Sequence, residues 1–201
     1  MEVNNENQHA WEAFLNPEIL RPNLIIASVY VTTFEILKAG IVDRIRDFYT
    51  NGFDENGWRV DPAYESTVLS KNRSLVYASL EWLKEAKAIE DADLVAFDRA
   101  KSVRNELVHE LHSALFRGLP LDLADRLKDM LVLLDKIERW WIVNLEIPTN
   151  PDLNEEEIDE QKIIPGPVMG LRILLDIALG SEEESKRYLK ELISLSNQTN
   201  S

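Results

Sequence analysis

The stretch PNLIIASVYVTTFEILKAGIVDRIRDFYT, residues 22–50, decides the fold class. Ile26, Tyr30, Phe34, Leu37, Ile41, Ile45 and Phe48 recur at spacings of three and four. That is the period of an α-helix, not the alternation of a strand. Ile25, Val29 and Ile36 form a second apolar strip beside the first. A stripe this wide predicts burial on two sides, against a deep core or a second subunit. Asn16-Pro17-Glu18 is a helix start, with Asn as cap and Pro in the first turn, and Pro22 opens the long helix itself. Gly40, inside it, allows close approach of another helix or a bend.

Outward from this helix the same period recurs. On the N-terminal side, Trp11, Phe14 and Leu15 predict a short helix. On the C-terminal side, residues 50–60 read as a loop, because Asn51-Gly52 and Asn56-Gly57 are turn signals. Asp61-Pro62 caps the next region, and Leu75, Tyr77, Leu80, Trp82 and Leu83 carry a helix on to Ile89. A break at 90–93 precedes a helix over 94–115, capped by Asp91 or Asp93 and ended by Gly118 and Pro120. A fourth long helix spans 122–145, with Leu127, Leu131, Leu134, Ile137 and Trp141 inward and Trp140 to one side, at an interface.

Residues 149–167 are rich in Pro, Asn and acid, including Glu155-Glu156-Glu157, and read as a linker. Val168–Leu179 is apolar on most faces, so burial is expected. Ser181 and Glu184 make a capping box for a last helix that turns Tyr188, Leu189, Leu192 and Ile193 inward. No segment shows strand alternation, a Gly-rich phosphate loop or an internal repeat. The expected fold is therefore all-α: an up-and-down helical bundle over 1–148, an acidic linker over 149–167, and a C-terminal helical pair over 168–201 packed on the bundle.

Composition narrows the function classes. A chain of 201 residues, 45% hydrophobic and with five Trp, can bury the core of one domain plus an extension. It has no Cys, so disulfide frameworks and thiol chemistry are excluded. The N-terminal stretch lacks the basic and apolar regions of a secretory signal, and no apolar run reaches the roughly 18 residues of a membrane span. A soluble cytoplasmic protein is expected. The net charge of −14 opposes non-specific coating of nucleic acid, because phosphate repulsion dominates at long range. It leaves room for a local basic site, and Arg99, Lys101 and Arg104 form such a cluster.

That cluster adjoins Arg104-Asn105-Glu106-Leu107-Val108-His109. Val103, Leu107, Leu111 and Ala114 share the core face of the helix, while Asn105, His109 and His112 point away from it, together with Asp98 and Phe116. Arg104 lies on the flank. His109 and His112 are three residues apart, but no Cys and no His-x-x-x-His completes a zinc signature, so no metal or other cofactor is expected.

An Arg, a polar residue directly after it, and a His five positions from the Arg, late in a helical bundle, resembles the HEPN superfamily (higher eukaryotes and prokaryotes nucleotide-binding domain). Arg104, Asn105 and His109 match the family's pattern, and the likeness covers about residues 24–146. One HEPN subgroup has a Tyr two residues after the His. This chain has Leu111 there, so no role resting on that Tyr carries over.

The resemblance implies metal-independent cleavage of RNA, of a toxin or phage-defence type, or binding of nucleotide or RNA without cleavage. Arg104, His109 and Asn105 would be the catalytic set, and Lys101, His112 and Arg99 the binding set. The chemistry suits these residue types. A base that takes the 2′-OH proton of RNA creates an internal nucleophile beside the phosphate, and histidine titrates near neutral pH. Arginine stays charged and holds phosphate oxygens with parallel hydrogen bonds.

On an ideal helix Arg104 and His109 are about 140° apart. Both reach one phosphate only if the helix distorts, the Arg wraps round, or a second subunit completes the site. The family's symmetric dimer implies the last, and an antitoxin is a further implied partner. The wide stripe of residues 22–50 and an outward Phe116 point the same way. The alternative is a helical interaction protein in which the motif is coincidental.

Overall fold

The computed structural model describes residues 2–55, 57–120, 122–152 and 158–199. Its organising element is helix α2, Pro17–Phe48, preceded by α1, Glu2–Leu15. Asn16 caps α2 by accepting a 3.0 Å hydrogen bond from the Glu18 N–H. The helix therefore begins at Pro17, five residues before the expected start, and Pro22 lies inside it. Around α2 stand α4 (Leu75–Glu85), α5 (Asp91–Arg117), α6 (Leu123–Trp141) and α8 (Gly166–Leu179). Most of the wide apolar stripe is thus filled from several sides by one chain, but Ile25 and Phe48, expected inward, are exposed. Tyr30, Leu37, Ile41 and Ile45 are fully buried in a core shared with Leu80, Phe97, Leu107, Leu134 and Ile137.

Two polar details lock this packing. The Tyr30 hydroxyl donates 3.0 Å to the Ala100 carbonyl, tying α2 to α5. At Gly40 the α6 helix comes so close that a Cβ would stand 3.0 Å from Leu134 Cδ1 and 3.4 Å from Glu138 Oε1. Glu138 is itself buried, and burial pushes its carboxyl above the ordinary range while Arg44, at 3.3 Å, opposes that shift. Arg44 also pairs with Glu146, so one guanidinium joins α2 to both ends of the α6 exit.

Most described residues are helical, and the fold is all-α with one small addition. Residues expected as a loop form an antiparallel hairpin, β1 (Thr50–Asp54) with β2 (Gly57–Val60). Its strands pair Phe53 opposite Trp58, and the rings meet edge to face at 5.3 Å. Both are exposed, so no inward and outward alternation marks these strands. Gly57 has φ 109°, which the turn requires.

After a short helix α3, Ala63–Thr67, the chain enters α4. The fourth long helix is not one piece: α6 ends at Trp141, widens into a π-helical turn over Ile142–Glu146, and closes with α7, Ile147–Thr149. Trp140, expected at an interface, packs within the chain, 6.0 Å from the Trp82 ring and 5.0 Å from Trp141.

The acidic run Glu155-Glu156-Glu157 lies outside the described residues. Beyond it, α8 seats Val168 and Leu171 in the core against α2 and α6, but Met169, Ile177 and Leu179 are exposed. The α9 helix, Glu182–Thr199, packs on α8. Its capping box forms: Ser181 Oγ accepts from the Glu184 N–H at 3.3 Å, and Glu184 accepts from the Ser181 N–H at 2.8 Å. The inward apolar face expected for α9 is not present. Leu189, Leu192 and Ile193 are exposed, because among the described residues α9 packs mainly on α8, a contact that takes in the partly buried Tyr188. Tyr188 donates to Asp176 at 2.7 Å across that contact.

Removing residues 165–201 uncovers the α2 and α6 surfaces beneath Val168 and Leu171. The truncated chain is expected to melt at a lower temperature and to aggregate on heating. Parallel thermal melts of the two chains check this, and equal melting points with equal solubility would show the pair to be dispensable.

Among the described residues, α2 has the length and composition to cross a membrane. Nine of its residues are buried inside the bundle.

Candidate functional site

The α5 helix carries the Arg104–His109 stretch, and its start is held from two directions. Glu90 caps it, with its N–H donating 2.7 Å to Asp93 in a capping box. Asp93 also pairs with Lys136 of α6 at 2.6 Å. Phe97, Ala100, Val103, Leu107 and Ala114 then face the core. The helix leaves regular geometry at Glu110, with φ −123° and ψ 21°, directly after His109. It ends at Gly118, whose φ is 100°.

On the side facing α2, this helix borders a cleft of about 220 Å³. Arg104, Asn105 and Lys101 line it from α5, Glu35 and Lys38 from α2, and Ser74 from the start of α4. Arg104 Nη2 donates 2.7 Å to Glu35 Oε1, and Nη1 reaches Asn105 Oδ1 at 3.4 Å. The guanidinium lies 5.8 Å from the Phe34 ring centre, within cation–π range. Its Nε is buried with no hydrogen-bond partner among the described residues. Lys38 approaches the other Glu35 oxygen at 3.2 Å. The Arg104 hydrogen bond holds the Glu35 carboxyl below the usual carboxylate range, with Lys38 adding to the effect against a desolvation penalty.

Lys101 donates 3.1 Å to the Tyr77 hydroxyl and sits 4.5 Å from its ring centre, and Tyr77 in turn donates 2.5 Å to Asp98. Arg99 is exposed.

The two histidines lie elsewhere. His109 is exposed and is not among the residues lining this cleft. Its neighbour Val108 lines a separate apolar groove with Leu24, Val31, Leu107 and Leu111. His112 is exposed beside Phe14, at 6.1 Å, and Phe116, at 4.9 Å between ring centres. The structure therefore brings together Arg104, Asn105 and Lys101, and separates His109 and His112 from them. Asn105, expected on the histidine face, faces the cleft instead. Phe116, expected outward, is covered by α1: it stacks on Phe14 at 4.2 Å and meets Trp11 edge to face at 4.9 Å.

Glu35, Lys38, Ser74 and Tyr77 were not picked out by the sequence as site residues. The only signal there was Glu35 and Lys38 as two charges in an otherwise apolar stretch of α2. Among the described residues, no three His, Asp or Glu side chains converge as a metal ion requires.

No family model, curated protein or solved structure matched this chain.

Proposed function

We propose that the protein is a metal-independent endoribonuclease of the HEPN type, of a toxin or phage-defence kind, acting in the cytoplasm and held in check by an antitoxin partner. The observation that carries the reading is Arg104 lining a cleft with two lysines, about one and a half turns before an exposed His109 on the same helix. Arg104 holds the non-bridging phosphate oxygens. His109 takes the 2′-OH proton, O2′ attacks phosphorus, and the 5′-oxygen leaves and is protonated. The products are a 2′,3′-cyclic phosphate and a 5′-hydroxyl.

Because Arg104 and His109 do not share one cleft in the chain, the reading takes the site to be completed in a homodimer, with the His109 of one copy facing the Arg104 of the other. The exposed Leu24 and Val108, at 41% and 45% of full accessibility, form an apolar surface beside His109 for that contact. This also supplies what Phe116 does not, since α1 already covers that ring.

The experiment is incubation of purified protein with RNA in EDTA, beside the same oligomer with 2′-deoxy residues. Cleavage of the first and not the second is expected. A specific observation favours a second reading, an RNA- or nucleotide-binding module without cleavage: Arg104 is already engaged by Glu35, and the cleft holds no histidine. Binding without cleavage would select that reading.

A further inference from the structure

The cleft beside Arg104 has one anionic wall residue and several donors. Lys38, Lys101 and Arg104 supply three cations, and Ser74 adds a hydroxyl that makes no capping hydrogen bond at the α4 start. The first turn of α4, an eleven-residue helix, follows Ser74 at its cap and leaves backbone N–H groups without intrahelical partners. Glu35 is the sole carboxylate among the described lining residues. It is placed as a bound anion would be: one oxygen is 2.7 Å from Arg104 and the other 3.2 Å from Lys38.

We propose that this cleft is a phosphoryl-group site in which Glu35 is the resident anion, and that a phosphate of the ligand displaces the Glu35 carboxylate from Arg104 and Lys38. The inference rests on the ribonuclease or RNA-binding reading for its ligand, but not on cleavage. The cleft volume of about 220 Å³ is below the roughly 300–1,000 Å³ of pockets that enclose a whole small ligand. It fits one phosphoryl group with the sugar and base outside.

Displacement is feasible because the pair is only partly buried and keeps contact with water. The Glu35 side chain is 41% exposed and Arg104 26%, and ion pairs screened by water are worth a factor of only about two to five. Arg104 keeps donors free for a second acceptor, since it spends one N–H on Glu35 and one on Asn105. Glu35 thereby acts as a latch: it screens the cations from adventitious anions and yields to a ligand that offers a better-matched group.

The test is binding of a fluorescent 2′-O-methyl oligoribonucleotide, which has no free 2′-OH and reports affinity without turnover. Glu35→Gln is expected to bind about two- to five-fold tighter than the parent, and Lys38→Met about two- to five-fold weaker. Both variants are expected to melt within a few degrees of the parent. Orthophosphate is expected to compete, and a methylphosphonate oligomer with an uncharged backbone is expected to lose binding. Displacement of the probe by AMP at comparable concentration assigns the site to a terminal phosphate. Displacement by unlabelled oligomer but not by AMP at comparable concentration assigns it to a phosphodiester.

Unchanged or weaker binding by Glu35→Gln overturns the proposal, and so does retained binding of the methylphosphonate oligomer. A parent protein that binds the probe but cleaves no RNA would sink the nuclease reading and leave this test intact.

Discussion

Replacing His109 with Ala is expected to slow RNA cleavage by about 10²- to 10⁴-fold while leaving thermal unfolding unchanged. The imidazole is exposed, so its loss opens no cavity in the core. Its loss removes the proton acceptor for the 2′-OH, and among the described residues lining the Arg104 cleft the polar side chains are cations, an amide, a hydroxyl and a carboxylate already held by two of those cations. Arg104→Ala is expected to weaken both binding and turnover, and Arg104→Lys to restore little, because an ammonium cannot reproduce the planar fork. Asn105→Ala should have the smaller effect, since its contact with Arg104 is long, at 3.4 Å. Rate measurements on variants with matched melting curves check this. Full activity of His109→Ala would remove the residue from the chemistry.

Leu37→Ala is expected to lower stability by about 2–5 kcal/mol, because it truncates a fully buried side chain at the middle of the central helix. The surrounding core comes from several elements that cannot all move inward to fill the space. For a chain of this size that loss corresponds to a fall in Tm of about 4–20 °C. Denaturant and thermal unfolding of parent and variant measure it. A loss below about 1 kcal/mol would mean that α2 is not the hub of the core.

The helical scaffold was legible because its signals are local. The α2 stripe, the Asn16 cap, Gly118 at the α5 end and the Ser181–Glu184 box each depend on residues within a turn or two of one another. Gly40 was legible as a point of close approach, and α6 makes that approach.

What was not legible depends on distant partners. Nothing near Arg104 in the sequence announces Glu35, which is 69 residues away. Phe116 reads as an outward ring until α1 folds over it with Trp11 and Phe14. The hairpin escapes notice because its paired aromatics, Phe53 and Trp58, are both exposed, so no buried face imposes alternation. On α9 the apolar residues have the correct helical period, but period alone does not say whether a second surface exists to cover them.

The candidate site divides the same way. Helical spacing placed Arg104, Asn105 and His109 on one helix, where the structure has them. Helical angles also put Asn105 with the histidines, but it faces α2 and joins Arg104 in the cleft. The angular separation of Arg104 from His109 was visible in the sequence, and in the structure His109 stays outside the Arg104 cleft.

The decisive measurement is the chemistry of the ends left on RNA incubated with the purified protein in EDTA. Cleavage by 2′-OH attack leaves a 2′,3′-cyclic phosphate on one fragment and a 5′-hydroxyl on the other, and these ends are the expected result, formed far more slowly by His109→Ala. Intact RNA at any protein concentration, or fragments carrying 5′-phosphate and 3′-hydroxyl ends, would contradict it.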